Sequence, residues 1–285
     1  MAKGISLRVM TLTQQLDRPG GRIAFDVTGT GRPVVLSPGM GDLRGVFRDV
    51  VGPLVDSGRR VVTADLRGHG EATTDFASYG VREIADDLVA LLEHLGGPAT
   101  LVGHSVSAGA ATIVAAERPD LVSSLVLLDP HLTPGGAFAQ LAARLMTQAI
   151  RRPVGAALWG GYYRSLYKGA QPAWLAEHLA SVRTAMADGA HLVAFGRLAR
   201  ALVASHTTLP LDQVEAPTLV VHGALDPEVD DPAADLAAAL GALGRASRAD
   251  GLLVPDAGHY PHAQRPDVLV PALLAHLGHL EHSGA

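Results

Sequence analysis

Short apolar runs rich in β-branched residues recur along the first half of the chain and predict buried strands. These runs cover residues 34–36, 61–64, 100–102 and 125–129. Between the second and the third, residues 81–95 carry apolar side chains at helical spacing, which predicts an amphipathic helix. Because strands that alternate with helices are joined by right-handed crossovers, the pattern predicts a mainly parallel sheet with helices on both faces.

Both ends of the chain extend this α/β pattern. Residues 5–13 alternate apolar and polar positions, which predicts an antiparallel edge strand that pairs with residues 22–28 across a turn. Residues 218–221 and a run that ends near Val254 predict two further strands, each followed by a helical stretch. The predicted fold class is therefore α/β, with a doubly wound sheet.

Residues 132–209 interrupt the alternation of strands and helices. This segment has no strand-like runs, is rich in alanine, leucine and arginine, and is divided by Pro153 and Pro172 into several predicted helices. We interpret it as a helical insertion in one α/β unit, of which residues 1–131 form the first part and residues 210–285 the second.

The composition narrows the classes of function. The 285 residues are 48% hydrophobic, carry a formal net charge of −5 and include no cysteine. This length and apolar content favour a large buried core, and the lack of cysteine excludes disulfides, thiol catalysis and thiolate metal sites. The negative charge gives no reason to expect nucleic acid or an anionic membrane as a partner. The residues after Met1 do not resemble a signal peptide, and no apolar run reaches the length of about 20 residues that a membrane span needs. We therefore expect a cytoplasmic protein. Its oligomeric state stays open.

The sequence ATLVGHSVSAG, residues 99–109, places Ser105 between a predicted strand and an alanine-rich predicted helix. A serine at such a strand–turn–helix junction is typical of a nucleophile elbow, which needs small residues two positions before and two after it. Gly103 and Ser107 occupy those positions. The same pattern also fits a helix N-cap serine, and a shifted register would make Ser107 the nucleophile. We favour Ser105 because the predicted strand ends just before it.

A serine nucleophile needs a base, and the base needs an orienting acid. His259 follows Gly258 in the loop after the last predicted strand, and Asp226 directly follows the strand before it. Loops that follow parallel strands meet at one edge of the sheet, which is also where Ser105 lies. The alternatives are His262 as the base and Asp129 as the acid. Glu228, with Asp230 and Asp231, is interpreted as a charge at the start of the next helix.

Two backbone N–H groups are candidates for an oxyanion hole. One belongs to Val106, the residue after the proposed nucleophile, and the other to Met40, in the glycine-flanked loop after the first buried strand. Fixed donors aimed at a developing negative charge stabilise an acyl-transfer transition state. The alternative interpretation of residues 38–41 is a simple tight turn.

The order serine, aspartate, histidine, each at a strand end, resembles the α/β-hydrolase fold family over nearly the whole chain. The motifs that carry the resemblance are GHS at 103–105, DLRGHG at 65–70, Gly223 with Asp226, and Gly258 with His259. Three positions depart from the family's usual pattern. They are Ser107 in place of glycine, the sequence Ser37-Pro38-Gly39 in place of His-Gly, and Gln264 in place of glutamate.

The resemblance implies a mainly parallel, doubly wound sheet and a helical cap over the catalytic edge. It also implies a pocket for a small-molecule substrate, which we expect to be lined by Gly39, His104, Trp159, Tyr162 and Trp174. The alternative for the three aromatic residues is packing within the cap itself.

The expected function is that of an esterase-like serine hydrolase, which cleaves a small or medium apolar ester, lactone or related acyl compound through an acyl-enzyme. No cofactor and no metal are expected. Carbon–carbon bond hydrolases, perhydrolases or haloperoxidases and acyltransferases of the family keep similar triads, although Tyr260 stands where the first of these often have tryptophan. A ligand-binding protein with an idle triad is the alternative from another class. A metalloenzyme is the third, on the spacing of His259 with His262 or of His276, His279 and His282.

Overall fold

The computed structural model describes residues 13–130, 153–205 and 208–282, and contains an eight-stranded sheet. Its strands are β1 (Gln14–Arg18), β2 (Gly21–Thr28), β3 (Arg32–Ser37), β4 (Arg59–Ala64), β5 (Ala99–His104), β6 (Val122–Leu128), β7 (Thr218–Gly223) and β8 (Ala249–Val254). They lie in the order β1-β2-β4-β3-β5-β6-β7-β8. β2 is antiparallel to both of its neighbours, and every other pair is parallel. The sheet is therefore mainly parallel, as the sequence predicts.

Helices cover the sheet on both faces, which confirms the predicted doubly wound architecture. In chain order they are α1 (Arg48–Asp56), α2 (Val81–Leu95), α3 (Val106–Glu117), α4 (Gly155–Ser165), α5 (Leu175–Ala187), α6 (Gly189–Ala204), α7 (Pro232–Ala242), α8 (Pro261–Gln264) and α9 (Pro266–His282). Side chains alternate across a strand, so Val35 belongs to the apolar cluster under α2, α3 and α7, whereas Val34 and Leu36 belong to the cluster under α1 and α9. No helix in the described ranges combines the length and the hydropathy that crossing a bilayer requires.

The N-terminal hairpin differs from the prediction. Residues 5–12 of the predicted strand lie outside the described residues, Thr13 is not in a strand, and β1 begins at Gln14, where it pairs with Phe25. β1 is exposed and mostly polar, so it has no apolar alternation from which it could be predicted. Its position follows from the turn at Pro19 and Gly20, which sets the register of the hairpin.

The carboxyl ends of the central strands lie side by side at one edge of the sheet. The parallel registers pair Ser37 with Gly103, and Gly223 with Val254. The loops that follow β3, β5, β7 and β8 therefore emerge next to one another, and they contain the candidate site residues.

Helices α4, α5 and α6 lie in the segment between β6 and β7. The ring of Trp159 in α4 packs on Phe195 in α6, with 4.7 Å between ring centroids, and its Nε1 donates a hydrogen bond to the Gly41 carbonyl at 2.9 Å. Because Gly41 is in the loop after β3, these helices contact the carboxyl edge of the sheet. The predicted boundary between residues 131 and 132 lies outside the described residues, and the division into core and insertion stays a prediction.

Candidate active site

Ser105 occupies the tight turn between β5 and α3. Its backbone has φ 54° and ψ −119°, a region that side chains other than glycine rarely adopt. The Ser105 N–H donates to the Leu128 carbonyl at 2.9 Å, which anchors the turn to β6. A Cβ at Gly103 would collide with the backbone carbonyl of Ser107, so the turn requires glycine there. The strand–turn–helix predicted from the sequence is present at this residue.

Ser107, two residues after the turn, is fully buried in the first turn of α3. Its hydroxyl donates to the Pro38 carbonyl at 2.6 Å and lies 2.9 Å from the hydroxyl of Ser37. Two of the positions that depart from the family pattern thus contact each other. Together they connect α3 to the loop after β3, and Ser105 is the serine that stands at the turn.

His259 and Asp226 lie in adjacent loops and form a buried pair. His259 Nδ1 donates to Asp226 Oδ2 at 2.8 Å, and both side chains are almost completely buried. Gly223 and Gly258 allow this approach, because a Cβ on Gly223 would collide with the Gly258 carbonyl. Burial raises the pKa of Asp226, but the neighbouring His259 more than offsets this, and the net shift is downward.

Glu228 contacts the other nitrogen of the same imidazole. Its Oε2 lies 3.0 Å from His259 Nε2, and its other oxygen, Oε1, accepts a hydrogen bond from the Tyr162 hydroxyl. The interpretation of Glu228 as a helix-start charge is therefore incomplete. Asp231 has that role, since its side chain accepts from the N–H groups of Ala233 and Ala234 at the start of α7.

The two carboxylates determine the charge of His259. Burial alone would lower the pKa of the imidazole, but Glu228 first and Asp226 second outweigh it and raise the pKa to about 10. Contact with Glu228 therefore favours the imidazolium form of His259.

His104 lies beneath the histidine loop. It is fully buried, and its Nε2 donates to the His259 carbonyl at 2.7 Å. Burial lowers the pKa of His104 well below its usual range, so the ring is neutral. This expected pocket residue thus contacts the backbone of the candidate base.

The hydrogen bonds of Gln264 explain why this position, the third departure from the family pattern, holds glutamine instead of glutamate. Its Oε1 accepts from the N–H groups of Gly258 and Tyr260, while its Nε2 donates to the carbonyls of Lys168 and Ala170. An amide can accept and donate at the same time, whereas a carboxylate can only accept. Gln264 therefore joins the histidine loop to the segment that follows α4.

The loop after β3 passes directly over the elbow. A Cβ on Gly39 would lie 2.9 Å from His104 Nδ1 and 3.2 Å from Ser105 Cβ. Met40 follows in this loop, and Val106 is the first residue of α3, where an N–H has no partner within the helix. In the described part of the chain, neither amide donates a backbone hydrogen bond.

The three aromatic residues expected in the pocket are not equivalent. Trp159 lies on the Gly41 loop and Tyr162 contacts Glu228, so both are close to the candidate triad. Trp174 instead lies over α1, where its Nε1 donates to Asp49 at 2.7 Å and its ring is covered by the Arg48 guanidinium.

The alternative acid, Asp129, lies behind Asp226. It is fully buried, adopts a positive φ of 42°, and accepts a hydrogen bond from the Gly223 N–H at 2.9 Å. Burial raises the pKa of Asp129 to about 6, although His222 opposes this shift.

Among the described residues there are two groups of three, and in each group three potential metal-ligating atoms lie within 4.8 Å of one another. One is Asp129, His222 and Asp226, and the other is Asp226, Glu228 and His259. Of the histidines whose spacing suggested a metal, His259 belongs to the second group, whereas His262 and His276 belong to neither.

Comparison with known proteins agrees with this fold. The model of the Alpha/beta hydrolase family matches residues 34–272. The chain is 43% identical over 103 residues to the sn-1-specific diacylglycerol lipase ABHD11 of Mus musculus, a match that covers 34% of this chain and 33% of that protein. It is 29% identical over 274 residues to a probable esterase of Oryza sativa subsp. japonica, covering 89% of this chain and 94% of that protein.

A solved structure is similar over almost the full length. It is a thermophilic esterase from Thermogutta terrifontis, which superimposes with a TM-score of 0.77 at 25% sequence identity and covers 95% of this chain and 98% of that one. The family match extends over most of the chain and includes the elbow, both candidate partners of Ser105 and the strands β5, β7 and β8 that position them. The chain therefore belongs to the alpha/beta hydrolase family.

Proposed function

We propose that this protein is a serine hydrolase that cleaves a small or medium apolar ester, lactone or related acyl compound through an acyl-enzyme. The observation that carries the proposal is the buried hydrogen bond between His259 and Asp226, at the sheet edge where Ser105 occupies its strained turn. The names of the mouse lipase and the two esterases, given above, favour an acyl substrate.

In the proposed reaction, the Ser105 hydroxyl attacks the substrate carbonyl and neutral His259 takes its proton at Nε2. Asp226 holds the imidazole by Nδ1 and stabilises the imidazolium that forms. His259 then gives the proton to the departing alkoxide as the carbon–oxygen bond breaks. Water, deprotonated by His259, releases the acid and restores Ser105.

The N–H groups of Met40 and Val106 are proposed to bind the tetrahedral oxyanion. Two such donors, fixed before the reaction, each stabilise the transition state by about 3 kcal/mol. Gly39 lets the loop reach the elbow, and Trp159, Tyr162 and Trp174 are proposed to shape the pocket for the substrate. A cytoplasmic location stays a prediction.

A ligand-binding protein with an idle triad is the second candidate, and one observation favours it. His259 Nε2, which should face Ser105 in an active triad, contacts Glu228. In that case an apolar ligand would raise the melting temperature of a protein that hydrolyses no ester.

Covalent labelling with an uncharged fluorophosphonate, located by mass spectrometry, separates these candidates. We expect an adduct on Ser105 in the wild type and in Ser107→Ala, and none in Ser105→Ala. An adduct on Ser107 would show that the register is wrong. Absence of any adduct, at neutral and at alkaline pH, would favour the idle triad.

A further inference from the structure

Glu228 places a second negative charge against the proposed base, on the side opposite Asp226. Its side chain is 18% exposed, and its Oε2 is 3.0 Å from His259 Nε2. Tyr162 of α4 holds Oε1, while the Glu228 N–H donates to Asp226 Oδ1 at 2.9 Å. The residue is therefore held both at its carboxylate and at its backbone.

The carboxylate of Glu228 lies close to the position that the leaving group would occupy in the proposed mechanism. In the proposed mechanism His259 Nε2 protonates the departing oxygen, which must come within hydrogen-bond distance of that nitrogen. The leaving-group oxygen and Glu228 Oε2 then share one neighbour and lie at most about 6 Å apart. A substituent on the second carbon beyond that oxygen can reach the carboxylate.

A carboxylate in a partly buried position attracts a cation more strongly than it does in bulk water. Resting on the proposed function, we infer that Glu228 is a specificity-determining residue, which selects, among esters with an apolar acyl group, those whose leaving group carries an ammonium, such as amino-alcohol esters. Tyr162 is its positioning residue, and a substrate with an anionic leaving group is repelled.

Binding of such a substrate also prepares the base. An ammonium at Glu228 replaces the imidazolium as the partner of that carboxylate, which removes the main influence that raises the pKa of His259. His259 can then lose its proton to solvent and accept the proton of Ser105. An uncharged leaving group leaves the contact between Glu228 and His259 in place.

Two esters of the same shape test the inference. 2-(Trimethylammonio)ethyl butyrate and 3,3-dimethylbutyl butyrate differ by one positive charge at a quaternary centre. We expect the wild type to favour the cationic ester in kcat/KM by about tenfold or more, and Glu228→Gln to treat both alike. Asp230→Asn removes an equal charge from an exposed residue nearby and should keep the wild-type preference.

The preference of the wild type decides the inference even if Glu228→Gln does not fold. Equal kcat/KM for the two esters in the wild type, or an unchanged preference in Glu228→Gln, overturns it. Tyr162→Phe keeps the charge but frees the carboxylate, and it should lower the preference about threefold or more, with the loss greater for the cationic ester. Labelling of Ser105 by the uncharged fluorophosphonate in the same preparations reports on the proposed function separately. If Ser105 is labelled and the charge preference is absent, only the inference about Glu228 fails.

Discussion

At the scale of single residues, the charge of His259 depends on groups from several loops. Asp226 and Glu228 contact the imidazole directly, and Asp129 lies behind them. His104 and His262 pack against the same loop, but burial lowers the pKa of each, to about 3 for His262, so they add no positive charge at neutral pH. The balance of these groups favours the imidazolium.

This balance predicts an alkaline pH profile with uncharged esters. A base whose pKa is raised to about 10 is mostly protonated at pH 7, so kcat/KM should rise with pH well beyond the ordinary histidine range near about 6.5. In Glu228→Gln the midpoint of this rise should fall by about one pH unit or more, whereas in Asp230→Asn it should not move. Coincident profiles for the wild type and Glu228→Gln would show that Glu228 does not control the base.

The same shift is linked to stability. Because the pKa of folded His259 is above that of the unfolded chain, its protonation stabilises the folded state fully below about pH 6.5. That contribution is lost as the pH rises through about 10. The contribution of Asp226 to stability has the opposite pH dependence. Because the pKa of folded Asp226 is lowered, this contribution is lost on acidification.

Gln264 provides a second prediction at this scale. Gln264→Glu should lower the free energy of unfolding by about 1–3 kcal/mol, because a carboxylate cannot donate to the carbonyls of Lys168 and Ala170. Urea denaturation measures this change. The exposed Gln213→Glu, which adds the same charge, should change stability by less than about 0.5 kcal/mol, and equal losses in both variants would contradict the explanation.

At the scale of secondary-structure elements, the elbow depends on how closely β5 approaches α3. Gly103→Ala should destabilise the protein by about 3 kcal/mol or more, since its Cβ would meet the backbone of Ser107, which cannot move without displacing α3. Gly52→Ala in α1 is the control. Gly52 is exposed and its Cβ would meet no atom within 4 Å, so helix propensity should make that variant more stable by about 0.5–1 kcal/mol. Thermal unfolding should show a lower melting temperature for Gly103→Ala and a higher one for Gly52→Ala than for the wild type.

The elements themselves could be predicted because their signals are local. Buried strands such as β5 are continuous apolar runs, and α2 shows its apolar face in its spacing. The direction of a loop side chain depends instead on distant segments. Nothing in the sequence near Glu228 indicates that Tyr162, 66 residues away, would hold it against His259. The contact of Ser37 with Ser107 similarly joins two positions that depart from the family pattern and lie 70 residues apart in the sequence.

At the scale of the whole molecule, a second buried contact, besides that of Trp159 with Gly41, connects the helices between β6 and β7 to the loop of the proposed oxyanion hole. His178 in α5 and Asp42 in the loop after β3 are both buried, with His178 Nε2 2.6 Å from Asp42 Oδ1. That same oxygen accepts from the Leu43 N–H at 2.7 Å, and His178 Nδ1 lies 3.2 Å from Arg48. Asp42 is two residues from Met40, so the position of α5 and the shape of this loop are coupled.

This coupling predicts that the two segments loosen together. His178→Leu leaves the Asp42 carboxylate buried without this partner, which should cost about 3 kcal/mol or more in unfolding free energy. Amide hydrogen exchange should become faster both in α5 and at residues 38–43, and the rate of Ser105 labelling should fall because Met40 is displaced. Ser181→Ala, on the exposed face of α5, loses only a bond within its own helix and should leave the exchange of residues 38–43 unchanged. If His178→Leu speeds exchange in α5 alone, the helices only cover the site; if both segments respond, α5 helps to position the proposed oxyanion hole.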